Sequence, residues 1–282
     1  MLGHKMFQTL AAAFPSTICT VREKAKLLEP LNVRGTVLSG IDVSDLPRLQ
    51  FLLREIRPNV VVNCVGVIKQ RQASKDTLTS IMINSVLPHT LSHTVAEWGG
   101  RVVHFSTDCV FSGRHGRYTE ESVSDAEDVY GRTKFLGELH EKHTLTLRTS
   151  IIGRELENHS SLLDWFLFTS APAIKGYKRA MYSGVTTNYA ARFIRDLILE
   201  GSSLSGLYHL TGDTINKFDL LSLCKEKFGK QVEIRPDSEF ACDRSMVGER
   251  LEQATGRKTP PWPALLDELV KDPTPYRTWR AD

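Results

Sequence analysis

The chain has 282 residues, 41% of them hydrophobic and 24% charged, which is enough for one large or two modest domains with a buried core. Its 36 basic and 33 acidic residues leave a formal charge of +3, too balanced to indicate nucleic-acid binding. The five cysteines are scattered singly without a metal-ligand spacing, and no apolar run is long enough to cross a bilayer. These features predict a cytoplasmic protein with no metal, no nucleic acid and no membrane among its partners.

The first half of the chain alternates helix-like and strand-like segments. Ser124 and Glu127 have the spacing of a capping box, which predicts the start of a helix that carries Tyr130 and Lys134. Residues 59–65 form a continuous apolar run, typical of a strand buried on both faces of a parallel sheet. The alternation therefore predicts an α/β fold with a doubly wound parallel sheet. The other predicted elements are helices over 2–13, 44–57 and 78–98, the last interrupted by Pro88, and strands over 17–21, 36–38, 101–107 and 144–149.

After residue 150 this rhythm changes. Residues 151–185 carry an aromatic segment and then a basic, aromatic patch, whereas residues 186–213 return to a helix and a short strand. The remainder, 214–282, predicts helices over 218–228 and 264–270 and a short strand over 232–234. We therefore expect a larger domain of residues 1–150 with 186–213, and a smaller α+β lobe of 151–185 with 214–282.

Tyr130 and Lys134 are the most informative pair of side chains. Four residues apart on a helix, they lie on one face, so the ammonium can lie beside the phenol and lower its pKa from about 10. An isolated Tyr-x-x-x-Lys arises often by chance, as a half-buried tyrosine and a solvated lysine. The upstream strand that ends in Ser106-Thr107-Asp108 favours the functional interpretation, because a hydroxyl and an acidic phenol together can protonate a carbonyl.

Two longer motifs, F-S-T-D-C-V-F-S-G at 105–113 and Y-G-R-T-K at 130–134, resemble the extended short-chain dehydrogenase/reductases. The resemblance is greatest to the dTDP-4-dehydrorhamnose reductase group of sugar-nucleotide reductases, and N-C-V-G at 63–66 and C-D-R-S at 242–245 also fit it. It implies a Rossmann-like dinucleotide-binding domain and a substrate-binding lobe. The implied activity is NAD(P)H-dependent reduction of a nucleotide-linked 4-keto-deoxysugar in polysaccharide precursor synthesis.

The same resemblance implies a role for individual residues. Tyr130 would be the general acid, and Lys134 would lower the pKa of Tyr130 and bind the nicotinamide ribose. Thr107, with Ser106 as the alternative, would hold the carbonyl oxygen of the substrate. Cations that could bind its diphosphate are Lys178 and Arg244.

For the cofactor, the resemblance implies NADPH, with NADH as the alternative. Arg22 could accommodate a 2′-phosphate, although Arg22 and Lys24 fit solvated loop charges nearly as well. Asp42 and Val43 would flank the adenine. The full set of cofactor-binding residues implied is Gly3, Arg22, Asp42, Val43, Cys64, Val65, Gly66, Tyr130 and Lys134.

The chain departs from the family pattern at its beginning. Met1-Leu2-Gly3-His4 resembles only the last part of the glycine-rich G-x-x-G-x-x-G motif, without the first strand and the first two glycines. In the usual strand order 3-2-1-4-5-6 that strand is central, so a gap between two parallel neighbours is expected. Either the true start lies upstream, or the protein is a degenerate relative that binds cofactor poorly. We favour the first explanation, because the proton-transfer residues all remain.

Two other functions stay open at this point. One is a sugar-nucleotide epimerase or dehydratase of the same superfamily, although only Asp108 and then Cys109 follow the threonine, where dehydratases usually add acidic residues. The other is a non-catalytic, nucleotide-binding regulatory subunit. A homodimer is a further expectation.

Overall fold

The computed structural model describes residues 1–23, 25–68 and 76–277. Lys24, one of the two basic residues considered for the 2′-phosphate, lies outside the described residues. The helices are α1 (Leu2–Ala13), α2 (Leu46–Ile56), α3 (Thr77–Ile81), α4 (Leu87–Ala96), α5 (Val129–Leu136), α6 (Leu162–Phe168), α7 (Thr187–Leu199), α8 (Lys217–Phe228), α9 (Glu249–Thr255) and α10 (Trp262–Val270). The strands are β1 (Ile18–Val21), β2 (Thr36–Ser39), β3 (Val60–Asn63), β4 (Arg101–Thr107), β5 (Thr144–Thr149), β6 (Ile151–Ile152), β7 (Ala173–Tyr182), β8 (Val185–Thr186), β9 (Gly206–His209), β10 (Ile215–Asn216) and β11 (Glu233–Asp243).

Strands β3, β4, β5 and β9 form a four-stranded parallel sheet in the order β3-β4-β5-β9. Strands β1 and β2 form a separate parallel pair. Among the described residues no strand pairs with both β1 and β3. The gap that the sequence predicted between two parallel neighbours is therefore present. The predicted α/β class with a parallel sheet is confirmed. In such sheets the carboxyl ends of the strands provide the ligand-binding edge, and Thr107 is the last residue of β4.

The second sheet has the order β10-β7-β11, with β7 antiparallel to β10 and parallel to β11. The prediction of a short strand over 232–234 was wrong, because β11 continues for 11 residues with a bulge between Asp237 and Ala241. Most of β11 is exposed or half-buried, so its sequence lacks the apolar pattern that marks a strand. Backbone pairing to β7 holds it in place instead.

One hydrophobic cluster connects elements from both parts of the predicted division. Leu147 of β5 and Ile194 of α7 share it with Leu220 of α8 and Leu265 of α10, all four fully buried. Burying a leucine or isoleucine side chain contributes about 1.5–3 kcal/mol. The division into two units remains a prediction, and the shared core fixes their elements relative to each other. Within the described ranges no helix is both long and apolar enough to span a membrane.

Two local predictions were wrong. Ser124 does not cap α5, since its hydroxyl donates to the Val110 carbonyl at 2.7 Å, and Asp128 instead accepts from the Gly131 N–H at 2.9 Å. Pro88 does not interrupt the helical backbone. It lies in the first turn of α4, directly after a π-helical turn over Met82–Val86, where the missing N–H of a proline is tolerated.

Candidate active site

Close packing of α5 against the turn after β4 brings the site together. A Cβ on Gly131 would lie 2.2 Å from the Cys109 carbonyl oxygen, and one on Gly137 would lie 1.9 Å from that of Asn84. Any side chain at either position would therefore push the helix away. Gly131 was not predicted as a site residue, because what requires a glycine there is the carbonyl of Cys109, which belongs to a different element. This glycine allows Tyr130 to lie beside Thr107.

Thr107 and Tyr130 share a hydrogen bond between their side chains. The Thr107 hydroxyl donates to Asp108 Oδ1 at 3.0 Å and accepts from the Cys109 N–H at 3.1 Å. A carboxylate can only accept, so the single proton of Thr107 is directed to Asp108. The phenol of Tyr130 is therefore the donor to Thr107, and its proton lies at the carboxyl end of the sheet.

The pKa of Tyr130 is raised above its ordinary value, opposite to the direction expected from Lys134. Burial is the largest cause, and the nearby Cys109 side chain adds to it. Burial outweighs any neighbouring cation here because the phenolate would lose its hydration. The phenol is thus protonated at neutral pH and can act as an acid.

Lys134, one turn after Tyr130 on α5, is almost completely buried. Its Nζ donates to the Phe105 carbonyl oxygen at 2.7 Å and lies 3.4 Å from His104 Nε2. Burial lowers the pKa of Lys134 to about 8, against the opposing charge of Glu138. The lysine can therefore exist as an ammonium or as an amine within the physiological range.

Ser106 serves a different purpose from Thr107. Its hydroxyl donates to Glu138 Oε1 at 2.7 Å, and Arg148 holds the same carboxylate through Nε and Nη2 at 2.8 and 2.7 Å. All three side chains are buried. Since successive residues of a strand face opposite ways, Ser106 belongs to this ion pair, and Thr107 is the hydroxyl beside Tyr130.

Two cations approach the site from the C-terminal part of the chain, one directly after β11 and one at the start of α8. Arg244 donates through Nε to the Phe111 carbonyl oxygen at 2.8 Å, and its Nη1 lies 3.9 Å from Cys109 Sγ. Lys217 begins α8, and its Nζ lies 3.9 Å from the centre of the Tyr182 ring. Burial lowers the pKa of Lys217 to about 8, and among the opposing charges Asp108 is the largest. Lys217 was not predicted from the sequence, because a lysine at the start of a helix is usually a solvated surface charge.

Lys178, the other predicted substrate cation, is exposed on β7 with its ammonium 5.3 Å from the centre of the Phe218 ring. Lys178 is therefore a surface residue on the β10-β7-β11 sheet. Its role in substrate binding stays a prediction.

Backbone at the ends of α1 and β3 leaves space for a ligand. Among the described residues, a Cβ on Gly3 would contact only Cys64, at 3.7 Å, and one on Gly66 would contact only Asn84, at 3.5 Å. Asn84 holds this loop, because its side chain accepts from the Val67 N–H and donates to the Val67 carbonyl. Together with the buried amino group of Lys134, this open backbone fits the nicotinamide-ribose end of a dinucleotide.

The residues predicted at the adenine end are far more exposed. Arg22 pairs with Glu23 at 3.6 Å, with about 70% of each side chain accessible. Hydrogen bonds from the N–H and hydroxyl of Ser44 lower the pKa of Asp42. Val43 packs partly against the cluster under α2, whereas Val65 is 40% exposed. These side chains provide a surface for a ligand but no enclosure.

Comparison with known proteins places this site in a family. The model of the RmlD substrate binding domain matches residues 18–274. A dTDP-4-dehydrorhamnose reductase of Burkholderia thailandensis is 29% identical over 210 residues, covering 66% of this chain and 68% of that protein. Methionine adenosyltransferase 2 subunit beta of Xenopus tropicalis is 21% identical over 257 residues, covering 81% and 77%.

Solved structures agree on the fold. The dTDP-4-dehydrorhamnose reductase of Bacillus anthracis, in complex with NADP, superposes with a TM-score of 0.74 at 24% identity, covering 89% of this chain and 97% of the other. The Bordetella bronchiseptica enzyme WbmG, in complex with NAD and UDP, gives 0.77 at 14% identity, covering 96% and 90%. With the family model spanning most of its length, the chain belongs to the RmlD substrate binding domain family.

Proposed function

We propose that the protein catalyses NAD(P)H-dependent reduction of a nucleotide-linked 4-keto-deoxysugar, a step in making polysaccharide precursors. The observation that carries this proposal is the hydrogen bond between Tyr130 and Thr107, with Lys134 buried one turn further along α5. A phenol, a hydroxyl and an ammonium in this arrangement suit the protonation of a carbonyl. The similarity to proteins named dTDP-4-dehydrorhamnose reductase supports the sugar-nucleotide substrate.

We assign the cofactor to the edge formed by Gly3, Gly66 and Lys134. The ammonium would bind the nicotinamide ribose, and the two glycines leave the backbone accessible. Arg22 would meet a 2′-phosphate, which favours NADPH, with NADH as the alternative. When bound, the reduced nicotinamide supplies the hydride.

The chain itself supplies the proton. In our proposal the substrate oxygen takes the place of Thr107 as acceptor of the Tyr130 proton, and the Thr107 hydroxyl turns from Asp108 to donate a hydrogen bond to that oxygen. Charge that develops on the oxygen draws the proton from the phenol. The ammonium of Lys134 then stabilises the phenolate that remains. General acid catalysis of this kind contributes about 10²–10⁴-fold in rate.

For the diphosphate of the substrate we propose the two cations of the smaller lobe that approach the site, Arg244 and Lys217. Both lie near the turn that follows Thr107, Arg244 through its contacts with Phe111 and Cys109 and Lys217 through the charge of Asp108. A guanidinium and an ammonium suit phosphate oxygens because hydrogen bonds between charged groups are the stronger ones.

A direct test follows nicotinamide absorbance while the protein is mixed with NADPH and a panel of nucleotide 4-ketosugars. We expect oxidation that requires both the protein and one member of the panel. Dinucleotide binding without oxidation by any ketosugar would contradict the proposal.

A second candidate is a non-catalytic subunit that binds a nucleotide and regulates a partner enzyme. The similarity to methionine adenosyltransferase 2 subunit beta over 81% of the chain favours it. The absorbance experiment distinguishes the two, because only the reductase consumes NADPH.

We further propose a cytoplasmic setting and a homodimer. All five cysteines are free thiols, which suits a reducing compartment. Sedimentation velocity at micromolar concentration would test the dimer, and a single species at the monomer mass of 31.7 kDa would contradict it.

A further inference from the structure

A line of three buried polar side chains extends behind the site, from β3 through β4 to α5. Asn63 Nδ2 lies 3.1 Å from His104 Nδ1, and His104 Nε2 lies 3.4 Å from Lys134 Nζ. The three residues are 4%, 0% and 4% exposed, so water does not complete their hydrogen bonds. Asn63 and His104 are also direct partners in the parallel register of β3 and β4.

Local backbone fixes the orientation of the Asn63 amide. Its Oδ1 accepts from the Val65 N–H at 3.1 Å, so its Nδ2 must be the atom that faces His104. An amide NH₂ can only donate, and His104 Nδ1 must therefore present its lone pair. Burial holds the pKa of His104 well below its ordinary value, so the ring is neutral. Its one proton is then on Nε2.

That N–H faces Lys134. One hydrogen of the lysine goes to the Phe105 carbonyl oxygen at 2.7 Å. An ammonium has no lone pair to accept from His104, whereas a neutral amine has one. Every contact in the line is satisfied only when Lys134 is the amine, and the pKa of Lys134, lowered to about 8, agrees.

The remaining charged groups around Lys134 do not cancel this effect. Glu138, two residues beyond the end of α5, favours the ammonium, but Arg148 of β5 already neutralises that carboxylate. His89 of α4 adds to the positive charge felt by His104 and is bonded to the Leu136 carbonyl oxygen at 2.8 Å. Tyr130 is protonated and carries no charge.

We propose that Asn63 locks His104 as its Nε2–H tautomer, and that this ring is a positioning residue that weakens proton binding at Lys134. The ring does not touch substrate or reacting atoms and acts only through the lysine. The tautomer follows from the fold alone, whereas its consequence for turnover depends on the proposed reductase function. In that reaction the ammonium supports Tyr130, so the rate should fall as the pH rises through the pKa of Lys134.

The tautomer can be read directly in the wild-type protein. In protein labelled with ¹⁵N-histidine, the ring nitrogen shifts distinguish the two neutral tautomers and the imidazolium. The His104→Gln variant assigns the signal. We expect a neutral Nε2–H ring at pH 6–9. An Nδ1–H ring, or an imidazolium at pH 6, would overturn the proposal.

The effect on the lysine is measured by titrating ¹³C-lysine protein, with Lys134→Met to assign the signal. A glutamine at 104 can turn its carbonyl toward the ammonium, so His104→Gln should raise the proton affinity of Lys134 at least tenfold. The exposed His93→Gln on α4 is the matched control and should leave it unchanged. Equal midpoints in wild-type protein and His104→Gln would contradict the proposed effect.

Asn63→Ala gives a second, independent variant if His104→Gln fails to fold. Without the amide, both tautomers of His104 should be populated, and retention of a pure Nε2–H ring would show that Asn63 does not set the tautomer. The pH profile of turnover is recorded separately. If His104 is not the Nε2–H tautomer but turnover is normal, only this proposal is wrong. If His104 is the Nε2–H tautomer but there is no turnover, the proposed function is wrong.

Discussion

The two ends of the candidate cofactor site differ sharply in how the protein holds them. At the proton-transfer end, Thr107 and Lys134 are 7% and 4% exposed, and the described chain itself provides their hydrogen bonds. At the adenine end, Arg22 and Glu23 keep about 70% of their side chains in solvent. Atoms that transfer a proton must be placed before the substrate arrives, whereas an adenosine can be bound by a surface that adapts.

The buried end rests on a second buried layer. Glu138 accepts hydrogen bonds from the Ser106 hydroxyl and from Nε and Nη2 of Arg148, next to the end of the strand that carries Thr107. The exposed end has no such support among the described residues around β1 and β2. The difference predicts that substitutions at the buried end act on catalysis and stability together, and that those at the rim act on binding.

The largest effect is expected for Tyr130→Phe, which removes the proton donor and keeps the ring. Turnover should fall by about 10²–10⁴-fold, with little change in dinucleotide affinity. Steady-state absorbance and a fluorescence titration with NADPH measure the two quantities. Tyr208→Phe, on β9, is the control and should remain active. Full activity of Tyr130→Phe would remove the assignment of the general acid.

The next effect concerns stability. Arg148→Met leaves the carboxylate of Glu138 buried without its partner, which should lower the free energy of unfolding by about 3–5 kcal/mol. The exposed pair of Arg54 and Glu97 provides the comparison, since Arg54→Met should lower the free energy of unfolding far less. Urea denaturation measures both. Similar losses in the two variants would show that the layer behind β4 gives no special support.

Acid should weaken the fold through three buried histidines. Burial lowers the pKa of His4 and of His209 to about 3, and that of His104 well below its ordinary value. Their unfolded pKa is near 6.5, so below that pH the unfolded chain binds protons that the folded chain does not. The free energy of unfolding is therefore constant above pH 6.5 in this respect and falls on acidification, by up to about 1.4 kcal/mol per pH unit for each histidine.

Urea denaturation at pH 7, 6 and 5 gives this slope. His209→Gln should make it shallower, whereas His140→Gln, at an exposed position, should not. An identical slope in His209→Gln would show that this histidine is not held neutral by the fold.

The smallest effect is expected for Lys217, at the start of α8. Lys217→Met should raise KM for the nucleotide sugar roughly tenfold or more, because a hydrogen bond to a charged group contributes about 1.5–3 kcal/mol. The value of kcat and the affinity for NADPH should change little. Lys225→Met, two turns along the same helix, is the control. A loss of kcat at unchanged KM would contradict the proposed contact with the diphosphate.

The buried end was the more predictable of the two from sequence. β4 has the predicted bounds, and the spacing of Tyr130 and Lys134 indicated their shared helix face. Both signals are local: an apolar run and an i, i+4 interval. The direction of the Tyr130 pKa was wrong, because the extent of burial depends on elements far away in the chain.

Contacts between distant segments account for what the sequence could not reveal. Gly131 is required by the carbonyl of Cys109, and Lys217 approaches the site only because α8 packs beside β7. The prediction that Ser124 caps α5 was wrong for a different reason. Asp128 was available three residues before Gly131 and competed with Ser124, and the spacing rule alone could not choose between them.

The most direct test of a hydride-transferring site at the end of β4 uses NADPH that carries deuterium on the transferable position of the nicotinamide. The nucleotide sugar recovered after reaction with the wild-type chain is analysed by mass spectrometry. We predict one deuterium at C4 of the reduced sugar, with none in the Tyr130→Phe reaction over the same time. A reduced sugar without deuterium, or deuterated NADPH left unconsumed while it is bound, would contradict the account.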